Sequence, residues 1–125
     1  MDHEINEKLV SLKARKKVLS LMGFAARSRN LVTGYNTCLK LIPSGKLKLL
    51  IIAVDVGDNT REKMQQKCDS YGVDVRTFGS CEELSHIVGK EDKGLFGITD
   101  IGFADSIIKE LDKITIEVLS EKEVF

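Results

Sequence analysis

In "LVTGYNTCLK", residues 31–40, a glycine, an asparagine and a lysine stand at positions 34, 36 and 40. These residue types at this spacing suit a polyanion that also presents base edges. A helix starting just after Gly34 leaves its first backbone amides without intrahelical partners, and such amides attract anionic groups. Gly34 has no side chain, so a large ligand can come close to the backbone. Asn36 carries both a donor and an acceptor, the combination that reads a base edge. Thr37 adds a hydroxyl. Lys40, one helical turn beyond Asn36, supplies a charge for phosphate. The same spacing also fits a plain turn in which Asn36 helps to cap a helix, so the surroundings must decide.

The surroundings are basic. From Lys8 to Val54 there are ten Lys and Arg residues and no Asp or Glu over 47 positions. From Asp55 onward sixteen acidic residues face nine basic ones, so a formal net charge of zero conceals +10 in the first segment and −7 in the second. A surface polarised in this way attracts polyanions even when the molecule as a whole is neutral. That tips the balance at Gly34, Asn36 and Lys40 toward polynucleotide.

Other chemistries find little support. There is no GxGxxG after a strand and no GxxxxGK[ST]. "LLIIAVD" resembles the strand and aspartate of a nucleotide hydrolase, but without a phosphate loop Asp55 reads as a turn residue. The two histidines are His3, near the start of the chain, and His86, beside Ser85 and two glutamates. A Ser-His-acid arrangement needs a buried orienting acid and an oxyanion hole, and neither is visible. Cys38, Cys68 and Cys81 are odd in number, widely spaced and form no CxxC pair. They read as buried or half-buried thiols in a reducing compartment, not as a disulfide framework or metal site. No metal or cofactor is implied. The longest apolar run, "LLIIAV", is far short of a membrane span, and the first ten residues do not resemble a signal peptide. The expectation is a cytoplasmic, soluble, non-enzymatic protein.

The elements that must hold the candidate residues follow from periodicity and punctuation. The 125 residues are the size of one domain, long enough to close a core without staples. Residues 4–28 read as helix, with Val18, Leu21, Met22 and Ala25 inward; Leu9 and Leu12 belong to an extra turn or a separate short helix. "LVT" suits a short edge strand, and the helix after Gly34 runs to about Ile42, where Pro43, Ser44 and Gly45 stop it. "LKLLIIAVD" (47–55) is apolar on both faces, as a central strand should be. Asn59 with Glu62 reads as a capping box opening a helix that Gly72 ends. A strand over 73–78, a helix over 81–88 capped by Ser80, a strand over 93–99 and a helix from Asp100 to about Leu111 complete the pattern. The alternation from Ile114 to Val118 reads as an added strand or a loose tail. This order predicts an α/β fold: a three-layer α/β/α sandwich around a small mixed sheet.

Three separated blocks, "LSLMGFAARSRNLVTG", "SGKLKLLIIAVDVGDNTREKMQQKC" and "GKEDKGLFGITDIGFA", resemble the ribosomal protein L-seven-Ae and L-thirty-e superfamily, most of all its small bacterial YlxQ-like members. The resemblance covers about 16–112, leaving an N-terminal helical extension (1–15) and a C-terminal tail (113–125) outside it. It implies the same sandwich, a monomer, and binding of kink-turn RNA, a sharply bent duplex with a bulge beside tandem sheared G·A pairs. The family's signature glycine, asparagine and lysine fall on Gly34, Asn36 and Lys40, with Tyr35 and Thr37 between them. Thr37 stands where archaeal members often have glutamate. A second contact is implied for the loop holding Lys90, Glu91, Asp92, Lys93 and Gly94, which is charged here where archaeal and eukaryotic members are apolar. Ser85 replaces a glycine common in the family. With Arg27 and Arg29 at the end of the preceding helix, these residues form the expected site for structured RNA, a kink-turn or ribosomal RNA, with the ribosome as a setting. The competing expectation is a protein-interaction module of the same fold that has lost specific RNA binding.

Overall fold

The computed structural model describes the backbone of residues 2–123 and the side chains of residues 9–114. The elements are α1 (Asp2–Arg27), β1 (Leu31–Thr33), α2 (Tyr35–Leu41) with a 3-10 turn at Ile42–Ser44, β2 (Leu49–Ile52), α3 (Asp58–Tyr71), β3 (Asp74–Thr77), α4 (Cys81–Ile87), β4 (Leu95–Ile98) and α5 (Ile101–Glu123). The helix and strand order is the one the sequence predicts. The sheet runs β1-β4-β2-β3, with β4 antiparallel to both β1 and β2, and β2 parallel to β3.

Both central strands are buried along their whole length. Leu49 and Ile51 point into a core shared with Val18, Met22, Leu84 and Ile107 from α1, α4 and α5. Leu50 and Ile52 point the other way, into a core with Cys38, Ile42, Met64 and Cys68 from α2, its 3-10 turn and α3. This is the α/β/α sandwich. Each fully buried Leu or Ile contributes roughly 1.5–3 kcal/mol relative to exposure. Burial also pushes the Cys38 thiol up to about 12, helped by neighbouring Cys68, and the Cys68 thiol up to about 11. All three cysteines are free.

Three local readings change. α1 is continuous from Asp2 through Leu9 and Leu12, with no separate short helix. α3 begins at Asp58 after Gly57, and no side chain caps it, so Asn59 lies inside the helix and the Asn59–Glu62 capping box does not form. α5 continues to Glu123 where a strand or tail is expected after Leu111. The reason is period: Ala104, Ile107 and Leu111 are buried, and Ile108 and Ile114 pack beside them, at the three- and four-residue spacing of a helical stripe. Positions 114 and 118 fit that stripe as well as an alternating strand. The side chains of His3, Ile116 and Val118 lie outside the described residues.

α1 and α5 are joined by charge as well as packing. Glu110 is buried, and Lys17 of α1 approaches it at 3.5 Å while Lys113 donates to it at 3.1 and 3.2 Å. Burial pushes this carboxyl up, but the two ammonium groups outweigh that and hold it below the usual value of 4.5. A depressed carboxyl stabilises the fold above its unfolded-state pKa and loses that contribution as pH falls through its folded-state pKa. Glu110→Gln is expected to lower the unfolding free energy by about 1 kcal/mol at pH 7. In urea titrations the gap between the two proteins should then close as the pH drops below 4.5.

Candidate nucleic-acid interface

The pairing of β1 with β4 brings the opening stretch to a loop sixty residues away. Thr33 pairs with Phe96, and the Gly34 amide donates to the Leu95 carbonyl at 3.1 Å. Gly34 has φ 96° and ψ 158°, a region that residues with a side chain rarely adopt. A Cβ there would stand 3.9 Å from Lys93 Nζ. The turn therefore needs glycine for its backbone, and the bare Cα faces a lysine from the far loop.

α2 starts immediately after. Gly34 offers no side-chain cap, and the first amide returned into the helix is that of Cys38, at 3.1 Å to the Gly34 carbonyl. Cys38 turns inward and half-buried Tyr35 packs against the same core. Asn36, Thr37 and Lys40 are exposed on the opposite side. Among the described residues, no side chain bonds to or pairs with these three. A surface asparagine, threonine and lysine are thus presented together by a helix whose buried face is fixed.

The loop opposite is held firmly. α4 begins with the Ser80 hydroxyl accepting from the Glu83 amide at 3.1 Å. Asp55, at the end of the β2 region, accepts from the Cys81 amide at 2.8 Å, a bond that holds its carboxyl below the usual range. Asp55 is a structural anchor, as its reading as a turn residue anticipates. Ser85 is buried; its hydroxyl accepts from the Lys93 amide at 2.9 Å and donates to the Lys93 carbonyl at 3.0 Å. The sequence drew notice to Ser85 beside His86 and as a departure from a glycine; its tethering of Lys93 had no local signal. Gly94 is required by packing, since a Cβ there would lie 2.6 Å from a Val56 methyl and 3.1 Å from Cys81 Sγ. Asp92 takes a left-handed conformation, φ 53°, to make the turn.

The predicted site residues therefore separate. Lys93 faces Gly34, and the α2 that begins there exposes Asn36, Thr37 and Lys40. Lys90 and Asp92 line a different groove, of about 730 Å³, on the α4 side of the loop, whose lining includes the carboxylates of Asp55, Glu82, Glu91 and Asp92. Those carboxylates repel phosphate, so a polyanion is favoured on the Lys93 side. Arg27 and Arg29 lie at the end of α1, beyond the other end of β1. The four extended steps from Asn30 to Gly34 span roughly 13 Å, and both arginines precede Asn30. The basic run is also partly neutralised: Arg15 pairs with Glu83 and Lys17 with Glu110.

Arg29 is unusual in another respect. α3 and α4 end with the same pair of bonds, six-to-one and five-to-two, around left-handed Gly72 (φ 69°) and Gly89 (φ 72°). α1 ends with that pair too, Asn30 N–H to Ala25 O at 2.7 Å and Arg29 N–H to Ala26 O at 3.2 Å, but the left-handed residue is Arg29, φ 62°. An arginine stands where glycine fits with less strain. Among the described residues, no group of three or more His, Cys, Asp or Glu could hold a metal, and no helix is long and apolar enough to cross a membrane. His86 is exposed, and the Ser85 hydroxyl is fully engaged by Lys93.

Two stability outcomes follow. Ser85→Ala strands two backbone groups of Lys93 and is expected to cost about 1–3 kcal/mol, measured by thermal or urea unfolding. Arg29→Gly relieves the left-handed strain and is expected to raise stability by roughly 0.5–1 kcal/mol, with the gain partly offset by the freer unfolded chain.

A model of the ribosomal protein L7Ae/L30e/S12e/Gadd45 family matches residues 16–108. The chain is 35% identical over 92 residues to the RNA-binding protein YlxQ of Bacillus subtilis, covering 74% of this chain and 92% of that protein. It is 36% identical over 90 residues to the RNA-binding protein YlxQ of Enterococcus faecium, covering 72% and 86%. A solved structure of a protein of unknown function from Bacillus halodurans superposes with a TM-score of 0.75 at 35% identity, covering 77% of this chain and 97% of that one. A 15.5 kD RNA-binding protein of Giardia lamblia shares the fold alone, with a TM-score of 0.66 at 21% identity over 84% of this chain and 90% of that one. With the family model spanning most of the sandwich and these bacterial relatives matching over nearly their full length, the chain belongs to the ribosomal protein L7Ae/L30e/S12e/Gadd45 family.

Proposed function

We propose that this chain is a non-catalytic RNA-binding protein whose target is a kink-turn or a similarly bent element of structured RNA, ribosomal RNA included. The observation that carries this is Lys93 facing Gly34 at the start of α2, the helix that exposes Asn36 and Lys40. The names of its two bacterial relatives, RNA-binding protein YlxQ, support the same class of ligand.

The chemistry suits a bent duplex better than a straight one. Regular double-stranded RNA hides its major-groove edges, so proteins recognise its shape, its phosphates and its distorted points. A kink exposes base edges at one place. Bare Gly34 lets the RNA backbone approach, Asn36 offers donor and acceptor to a base edge, and Lys40 and Lys93 neutralise flanking phosphates. Tyr35 and Thr37 complete the α2 surface, Gly94 keeps the loop close, and Lys90 and Asp92 shape its outer side. Binding the bent form better than the straight one shifts the RNA population toward the bend, and no bond is made or broken. In this reading the protein works as a monomer in the cytoplasm, on or near the ribosome.

The test is a pair of titrations at one fixed salt concentration, because phosphate contacts make affinity salt-dependent. One RNA carries the kink with its G·A pairs, and the other is a regular duplex of equal length. Asn36→Ala is expected to weaken the kinked RNA by on the order of tenfold while leaving duplex binding almost unchanged. Lys93→Ala should weaken both RNAs and reduce the salt slope by about one. Equal losses on both RNAs for Asn36→Ala would remove the base-reading role and point to a module that binds protein partners.

A further inference from the structure

The described part of the molecule has a second surface suited to a nucleotide, and it is not the Gly34 face. Between the end of α1 and the end of α4 lies a shallow groove of about 250 Å³ lined by Leu19, Ser20, Gly23, Phe24, Arg27 and Ile87. Phe24 is 55% exposed, an unusual position for a phenylalanine. The Arg27 guanidinium lies over its ring, 4.7 Å from the centroid. Gly23 makes room for this arrangement, since a Cβ there would come within 3.3 Å of Arg27 Nη1. The lining contains no carboxylate, in contrast to the acidic groove beside the 89–92 loop.

We propose that this groove holds one unpaired nucleotide of the bound RNA, its base stacked on Phe24 and Arg27, with Arg29 available to the adjoining phosphate. The proposal rests on the RNA-binding reading above and extends it to a second contact. Three observations support a nucleotide as the occupant. An aromatic ring beside a planar guanidinium is the platform on which splayed bases stack. The space suits a single flat base, while a protein helix or strand needs a longer trough. The charge is complementary, with Arg27 in the groove and Arg29 two residues on.

The groove and the first interface lie at the two ends of the segment that follows α4. Ile87 forms part of its wall and is the last residue of α4. The chain then runs through 88–92 to Lys93, whose ammonium faces Gly34. An RNA bent over Gly34 and Lys93 can thus send a bulged nucleotide across the loop toward Phe24. The loop itself, Lys90 to Lys93, is charged and provides no apolar platform, so Phe24 is the exposed aromatic ring available on that side. Arg29 fits this role: it occupies a left-handed position that α3 and α4 give to glycine, as expected when a side chain is kept for an interaction despite backbone strain.

The experiment uses the full chain and a kinked RNA with 2-aminopurine at the bulged nucleotide, beside the same RNA made abasic at that position. Binding of the unaltered protein should quench the fluorophore, and the abasic RNA should bind more weakly. Phe24→Ala should abolish the quenching and weaken the bulged RNA by on the order of tenfold, with no effect on the abasic RNA. Phe24→Tyr should restore both. Because Phe24 is exposed, the alanine variant is expected to fold, and circular dichroism checks this. Unchanged quenching and affinity in Phe24→Ala would overturn the stacking site while leaving the Asn36 interface intact. If the unaltered protein does not distinguish kinked RNA from duplex, it is the kink reading that fails. In that event a single-stranded pentamer carrying 2-aminopurine decides the groove: quenching lost in Phe24→Ala supports it, and no quenching overturns it.

Discussion

The antiparallel pairing of β1 with β4 is the contact on which the functional face depends. β1 has only three residues, and on its own such a segment has little reason to be a strand. Its register is fixed at Gly97, opposite Val32, where a side chain would collide with Leu47 and Val32. A slip of one residue would turn every side chain of the strand to the other face and move Gly34 away from Leu95. With the register held, the end of β1 and the start of β4 lie side by side. The glycine turn and the 88–94 loop then meet without any direct bond between their side chains. The loop is tied instead to its own scaffold, through Ser85 to the Lys93 backbone and through the close packing of Gly94 on Val56 and Cys81.

The fold also redistributes charge. The sequence places ten positive residues in a run free of carboxylates, yet two of them face acidic residues from the second half of the chain. Glu83 takes Arg15 and Glu110 takes Lys17, both on the α1–α4–α5 side. Lys13 and Lys16 of α1, Lys40 of α2 and Lys93 make no ion pair among the described residues. Meanwhile Asp55, Glu82, Glu91 and Asp92 gather around one groove. Two sides of a single loop thus have opposite character. A polyanion is steered to one of them by repulsion from the other as much as by attraction.

Much of the architecture could be read locally. Leu49–Ile52 is apolar at every position, which only a strand buried on both faces requires. Gly72 ends α3 in the left-handed conformation, Ser80 caps α4 through the Glu83 amide, and Asp100 caps α5 through the Phe103 amide at 2.9 Å. Asn59 misled because Gly57 begins the helix without a side-chain cap, two residues earlier than the expected capping box. The end of α5 misled because Ile114 and Val118 satisfy a strand's alternation and a helix's four-residue spacing alike. Packing against α1 through Leu111 and Ile114 decides between them. Arg29 gave no signal either, since glycine or asparagine, not arginine, is the residue expected at a left-handed helix end.

The sequence by itself determined the order of elements, the buried strands and the glycine–asparagine–lysine stretch, because each depends on periodicity or on backbone preferences within a few residues. Only the tertiary structure decided which charged groups share a face. Lys93 reaches Gly34 through strand pairing across sixty residues, while Lys90 and Asp92, its near neighbours in the chain, turn to an acidic groove. Arg27 and Arg29, close to Gly34 in sequence, are carried to the far end of β1. Nearness in a folded chain is set by hydrogen-bond register and core packing, and those are properties of pairs of distant segments that no local pattern encodes.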